Sequence, residues 1–86
     1  MIWVNAALEM TVGKAAAQVG HASMLYAAAC GLTEVPAFAV RDAGRAQWAQ
    51  LSRAVQRGEA VAVRDAGFTE VAPGTITCIT MSAALA

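Results

Sequence analysis

The chain opens on three β-forming residues, Ile2-Trp3-Val4, and this run predicts a first strand that ends within 5–8. A turn, Met10-Thr11-Val12-Gly13, leads into a helix over about 14–30. Thr11 is placed to cap its amino terminus, and Gly31 sits where a C-terminal glycine belongs. Pro36 introduces a second strand over 37–41. Asp42 offers an N-cap for a helix over about 44–56, in which Trp48, Leu51, Ser52 and Val55 recur at helical spacing before Gly58 closes it. Residues 60–64 and 76–81 read as the third and fourth strands. The loop between them, 65–75, is punctuated by Gly67, Pro73 and Gly74.

The predicted order is therefore βαβαββ in one α/β domain spanning 1–86. Helices alternating with strands imply parallel pairs joined by right-handed crossovers, and the short last loop implies one antiparallel hairpin. The expected object is a small mixed four-stranded sheet covered by helices, a three-layer αβα arrangement. In open sheets of this kind ligands sit beyond the carboxyl ends of the strands, which points at the 10–14 turn and the 65–75 loop. One five-residue repeat follows two of the strands: Val40-Arg41-Asp42-Ala43-Gly44 recurs as Val63-Arg64-Asp65-Ala66-Gly67. A duplicated strand exit and a coincidence in an alanine-rich chain both account for it.

Composition narrows the class. Alanine fills 22 of 86 positions, so the larger apolar residues amount to roughly a third of the chain, enough for one thin core. Six basic and six acidic residues cancel, which argues against a polybasic nucleic-acid coat and against disorder. The longest stretch free of Asp, Glu, Lys and Arg, 15–33, is interrupted by Gln18, His21, Ser23 and two glycines and does not read as a membrane span. No basic region precedes an apolar stretch at the start, so no secretory signal is read. Cys30 and Cys78 stand 48 residues apart without a CxxC or His-rich setting. They read as two free, half-buried thiols in a cytoplasmic protein without structural zinc or any other metal or cofactor. Leftover apolar surface, two tryptophans included, suggests a homodimer.

Two constellations carry candidate chemistry. At about 100° per residue, Lys14, Gln18 and His21 fall within about 60° of one another on the first helix. Ala16, Val19, Gly20, Ser23 and Ala27 form an opposite, small-residue face suited to the sheet. The polar stripe is thus expected to face solvent or a cleft. Lys14 is the sole lysine and His21 the sole histidine of the chain, and a lysine in a first turn opposes the helix dipole. A solvated first turn with a locally bonded histidine is the plainer account. The second constellation is Asp65-Ala66-Gly67-Phe68-Thr69-Glu70-Val71-Ala72-Pro73-Gly74-Thr75. It sets a carboxylate at a strand exit and a hydroxyl four residues later, able to activate water and to donate to an oxyanion. An Asx turn accounts for the same carboxylate. No Ser-His-Asp or Cys-His context, Walker loop or dinucleotide fingerprint accompanies either run.

Taken together the runs are more specific. Met10-Thr11-Val12-Gly13-Lys14-Ala15-Ala16-Ala17-Gln18-Val19-Gly20-His21-Ala22 resembles the first signature of the archaeal/eukaryotic-type peptidyl-tRNA hydrolases, a Gly-Lys pair, Ala-Ala-Gln and His-Ala opening the first helix. The 65–75 run looks like that family's second signature. Both occur in the family's order, each beside the expected strand. The chain departs from the family in two ways. Only residues 32–35 bridge the first helix and second strand, where members usually carry a further helical segment. Phe68 also stands where a basic residue is common. The resemblance implies hydrolysis of the ester between a peptide and the 3′ ribose of tRNA, recycling tRNA in translation without metal or cofactor. It assigns Lys14, Asp65 and Thr69 to catalysis, and Gly13, Gln18, His21 and Phe68 to substrate binding or support. The competing reading is a non-catalytic RNA-binding or regulatory module that keeps the fold. A geometric expectation follows: Lys14 and Asp65, at the exits of neighbouring strands, come within reach of each other.

Overall fold

Local backbone requirements set most of the element boundaries. A computed structural model of the chain describes residues 1–64 and 74–81. Strand β1, Ile2–Asn5, ends as Asn5 turns its side chain to accept from the Ala7 N–H at 3.2 Å, capping a single 3₁₀ turn, Ala6–Leu8. Helix α1, Val12–Ala29, begins as expected at Thr11, whose Oγ1 accepts from the Lys14 N–H at 3.3 Å. It stops at Gly31, which takes φ +67° and lets the Leu32 N–H return to the Ala27 carbonyl at 2.9 Å. Helix α2, Arg45–Gln56, ends the same way: Gly58 at φ +75° allows the Glu59 N–H to reach the Ala54 carbonyl at 2.9 Å.

Strand β2, Val40–Ala43, begins three residues later than expected. Pairing with β1 decides its position: Ile2 lies opposite Val40 and Val4 opposite Asp42. The ladder therefore carries Asp42 inside the strand rather than at a helix cap. Gly44 takes the N-cap place of α2 with no side-chain hydrogen bond, and Ala43 is buried under α2. The first residues of the two copies of the five-residue repeat are placed differently. Val40 starts β2 and is half exposed, whereas Val63 is the third residue of β3, Val61–Arg64, and is buried.

With β4, Ile76–Thr80, the four strands form one mixed sheet in the order β2-β1-β4-β3. Strands β1 and β2 are parallel, and β4 runs antiparallel to both of its neighbours, β1 and β3. The carboxyl ends of β1, β2 and β3 therefore share one edge. The two helices pack on opposite faces, as the three-layer arrangement requires. Ile2, Val4, Val63 and Cys78 join Ala22 of α1 in one cluster; Ala43 and Ile79 join Leu51 of α2 in the other, with Trp3 and Trp48 packed against it. The alternation of Ile2 and Val4 with Trp3 is the period-two signature of a strand covered on both sides. An edge-to-face contact between Tyr26 and Phe38, centroids 5.2 Å apart, fastens the connection after α1.

Burial pushes the Cys78 thiol from 9.0 up to about 11, a hydrogen bond with Thr77 offsetting part of the rise. A thiol pKa raised by folding stabilises the native state fully below the unfolded value and ceases to do so above the folded one. Stability should fall by about 3 kcal/mol between pH 9 and 11 as the unfolded thiolate gains. Urea titrations across that range should show the loss in wild type and a flatter profile in Cys78→Ala. A thiol reagent should modify exposed Cys30 in the native protein and Cys78 only on unfolding.

Candidate functional site

The head of α1 stands beyond the carboxyl end of β1. Gly13 and Lys14 occupy its first turn, Gly13 exposed with open space around it and Lys14 half buried. Helix α1 then leans away from β1 and packs mostly across β4 and β3.

The expected facing of α1 is corrected by the packing. Gln18, Ala22 and Ala27 are its buried residues, while Ala16 and Gly20 are exposed. Alanines lie on nearly every side of this helix, so the apolar pattern gives it little direction. Larger groups decide the facing, Val19 packed into the core beside Ala22 and the amide of Gln18. Gln18 Oε1 accepts a hydrogen bond from Thr77 Oγ1 at 2.8 Å, both side chains fully buried. The expected stripe thus flanks the buried face on the β3 side. Lys14 lies at its head and Gln18 tucks beneath the helix. His21 stays exposed, beside Arg64.

Thr77 carries no distinguishing signal in the sequence. Val63 pairs with Cys78, but the next β3 residue, Arg64, pairs with Ile76, so Thr77 is the extra residue of a β-bulge. Ile76 and Ile79 pack on the α2 side, and the bulge turns both Thr77 and Cys78 towards α1. A strand read as strictly alternating puts Thr77 on the other face. The signal available was only a pair of threonines around Cys78-Ile79, which any half-buried strand shows.

The exits of β1 and β3 lie on one edge but are not neighbours: β4 runs between them. The expectation of adjacent exits is corrected, since the hairpin strand is inserted rather than added at the border. Two interstrand spacings, roughly 10 Å, separate the strands, and the lean of α1 crosses that span. Asp65, Phe68 and Thr69 lie outside the described residues, so the expected approach of Lys14 to Asp65 does too. The described chain leaves β3 at Arg64 and resumes at Gly74, and Arg64 Nη1 donates to the Gly74 carbonyl at 3.4 Å.

On the β2 side a concavity of about 180 Å³ is lined by Asn5, Glu9, Met10 and Asp42, with two carboxylates. Glu9 is there in the left-handed region, φ +51°. His21 and Arg64 line a groove between α1 and β3, and Arg45 follows the carboxyl end of β2. No group of three or more His, Cys, Asp or Glu is gathered among the described residues, and none of the described helices is long and apolar enough to cross a membrane. Comparisons with family models, with curated proteins and with solved structures found no match to this chain.

Proposed function

We propose that this protein hydrolyses the ester that joins a peptide to the 3′ ribose of tRNA. The observation that carries the reading is the shared edge: the Gly13-Lys14 head of α1 and the end of β3, immediately before Asp65, belong to parallel strands whose carboxyl ends face the same way. The first run opens at that edge and β3 ends at it, with α1 leaning across the strand between them.

In this mechanism Asp65 accepts a proton from water as the water oxygen attacks the ester carbonyl carbon. The Lys14 ammonium steadies the charge that develops on the carbonyl oxygen, and the Thr69 hydroxyl donates to it. The bond from that carbon to the ribose oxygen then breaks. The ribose oxygen takes the proton that Asp65 had accepted, and the released acid loses its own proton to solvent, giving a free peptide carboxylate and a tRNA hydroxyl. Gly13 keeps the approach open, and Phe68 and His21 contact substrate. Gln18, being buried against Thr77, is a positioning residue that ties the first turns of α1 to β4.

The test is release of peptide from an N-acetyl-aminoacyl-tRNA. Wild type should release it well above the buffer rate, and Asp65→Asn should lose most of that release. No release by wild type, or equal release by Asp65→Asn, overturns the reading.

A further inference from the structure

The flank of α1 that starts at Lys14 runs on into a groove between the helix and β3, the border strand of the described sheet. His21, Met24, Leu25, Val63 and Arg64 line it, and its volume is about 230 Å³. Pockets that enclose a whole small-molecule ligand hold about 300–1,000 Å³. This one suits a single flat ring system with the rest of its molecule outside.

The lining combines an apolar floor with donors. Met24 and Leu25 are 65% and 44% exposed, large apolar side chains on a helix whose exposed positions are mostly alanine or glycine. A thioether and a leucine give a ring an adaptable surface to lie on. Arg64 brings a planar guanidinium that matches phosphate oxygens and stacks on bases. Its Nη1 bond to the Gly74 carbonyl gives the fork an anchor. His21, on the helix side, supplies a second polar group, whereas the concavity across the edge is lined by Glu9 and Asp42 and is unsuited to phosphate.

We propose that this groove seats a nucleotide at the 3′ end of single-stranded RNA, the base lying on Met24 and Leu25 and the phosphate against Arg64 and His21. Single strands are bound in this manner elsewhere, by stacking joined to cationic contacts along the backbone. The choice of a 3′ end rests on the hydrolase reading. His21 is seven residues from Lys14, roughly 10 Å along the helix, which sets the groove about one nucleotide from the ammonium proposed to act on the ester.

Fluorescence anisotropy of a 5′-labelled RNA pentamer ending in CCA-3′ tests this on the full chain. Met24→Asp should weaken binding about tenfold or more. Arg64→Gln should weaken it and lower the slope of log affinity against log salt by about 0.7, the value for one phosphate contact on a single strand. Both positions are exposed, and circular dichroism and Tm should match wild type. Wild-type affinity in both variants overturns the proposal, whatever peptide release shows. RNA binding lost in both variants, from a wild type that releases no peptide, leaves the groove standing and removes the hydrolase reading instead. If a poly-glutamate peptide displaces the RNA at lower concentration than unlabelled pentamer does, the occupant is an acidic peptide. If Met24→Asp turns a sedimenting dimer into monomers, the occupant is a second copy. Either result overturns the proposal.

Discussion

Lys14→Met should cut single-turnover peptide release from an N-acetyl-aminoacyl-tRNA by on the order of 10²–10³-fold, the usual loss when one group facing a developing oxyanion is removed. The fold should scarcely notice. Lys14 is half buried in a first helical turn, where a positive charge opposes the dipole, and partly exposed ion pairs contribute little. Thermal unfolding should therefore shift by no more than about 1 kcal/mol in either direction. Lys14→Arg keeps the charge but spreads it over a planar fork and should restore only part of the rate. Thr69→Val, nearly isosteric, should lose on the order of 10²-fold through the missing hydroxyl. An unchanged rate in Lys14→Met, with an unchanged fold, would remove the ammonium from the reaction.

The largest effect on stability should come from Ile79→Ala. Ile79 is fully buried on β4, a strand paired on both sides, and meets Leu51 and Ala43 with Trp3 and Trp48 against the cluster. Removing three carbons there leaves a cavity between the sheet and α2, at a cost of about 3 kcal/mol. A chain of this size has roughly 4–13 kcal/mol of total stability. With so many alanines, few other large side chains among the described residues are fully buried to compensate. Urea unfolding should show the loss with the slope unchanged, and Tm should fall by more than about 10 °C. Val40→Ala, at a half-exposed position on the border strand β2, serves as the contrast and should cost well under 1 kcal/mol. Similar losses in both variants would mean that the α2-side cluster is not a packed core.

Features that a residue and its near neighbours settle are legible in the amino-acid order. Thr11 caps α1 because its hydroxyl reaches an amide three residues on. Gly31 and Gly58 end the helices because each must take positive φ. The order βαβαββ and the three-layer class follow from β-forming runs, turn and cap residues and helical spacing. Gly13, Lys14 and His21 were legible as residues at one head and flank of a helix, while Asp65, Phe68 and Thr69 were legible only as a run after a strand. Where the reading failed, the deciding partner was distant in sequence. Asp42 became a strand residue because β1 pairs across it. Gln18 went under the helix because Thr77, 59 residues away, donates to it. Thr77 faces that way only through a bulge that Val63 and Arg64 impose from the next strand. The insertion of β4 between β1 and β3, which sets the separation of the two candidate motifs, has no local signature at all. Strand pairing satisfies backbone groups across the whole sheet at once, and an alanine-rich helix has no pronounced apolar face. Register, strand order and helix facing were therefore decided by tertiary contacts.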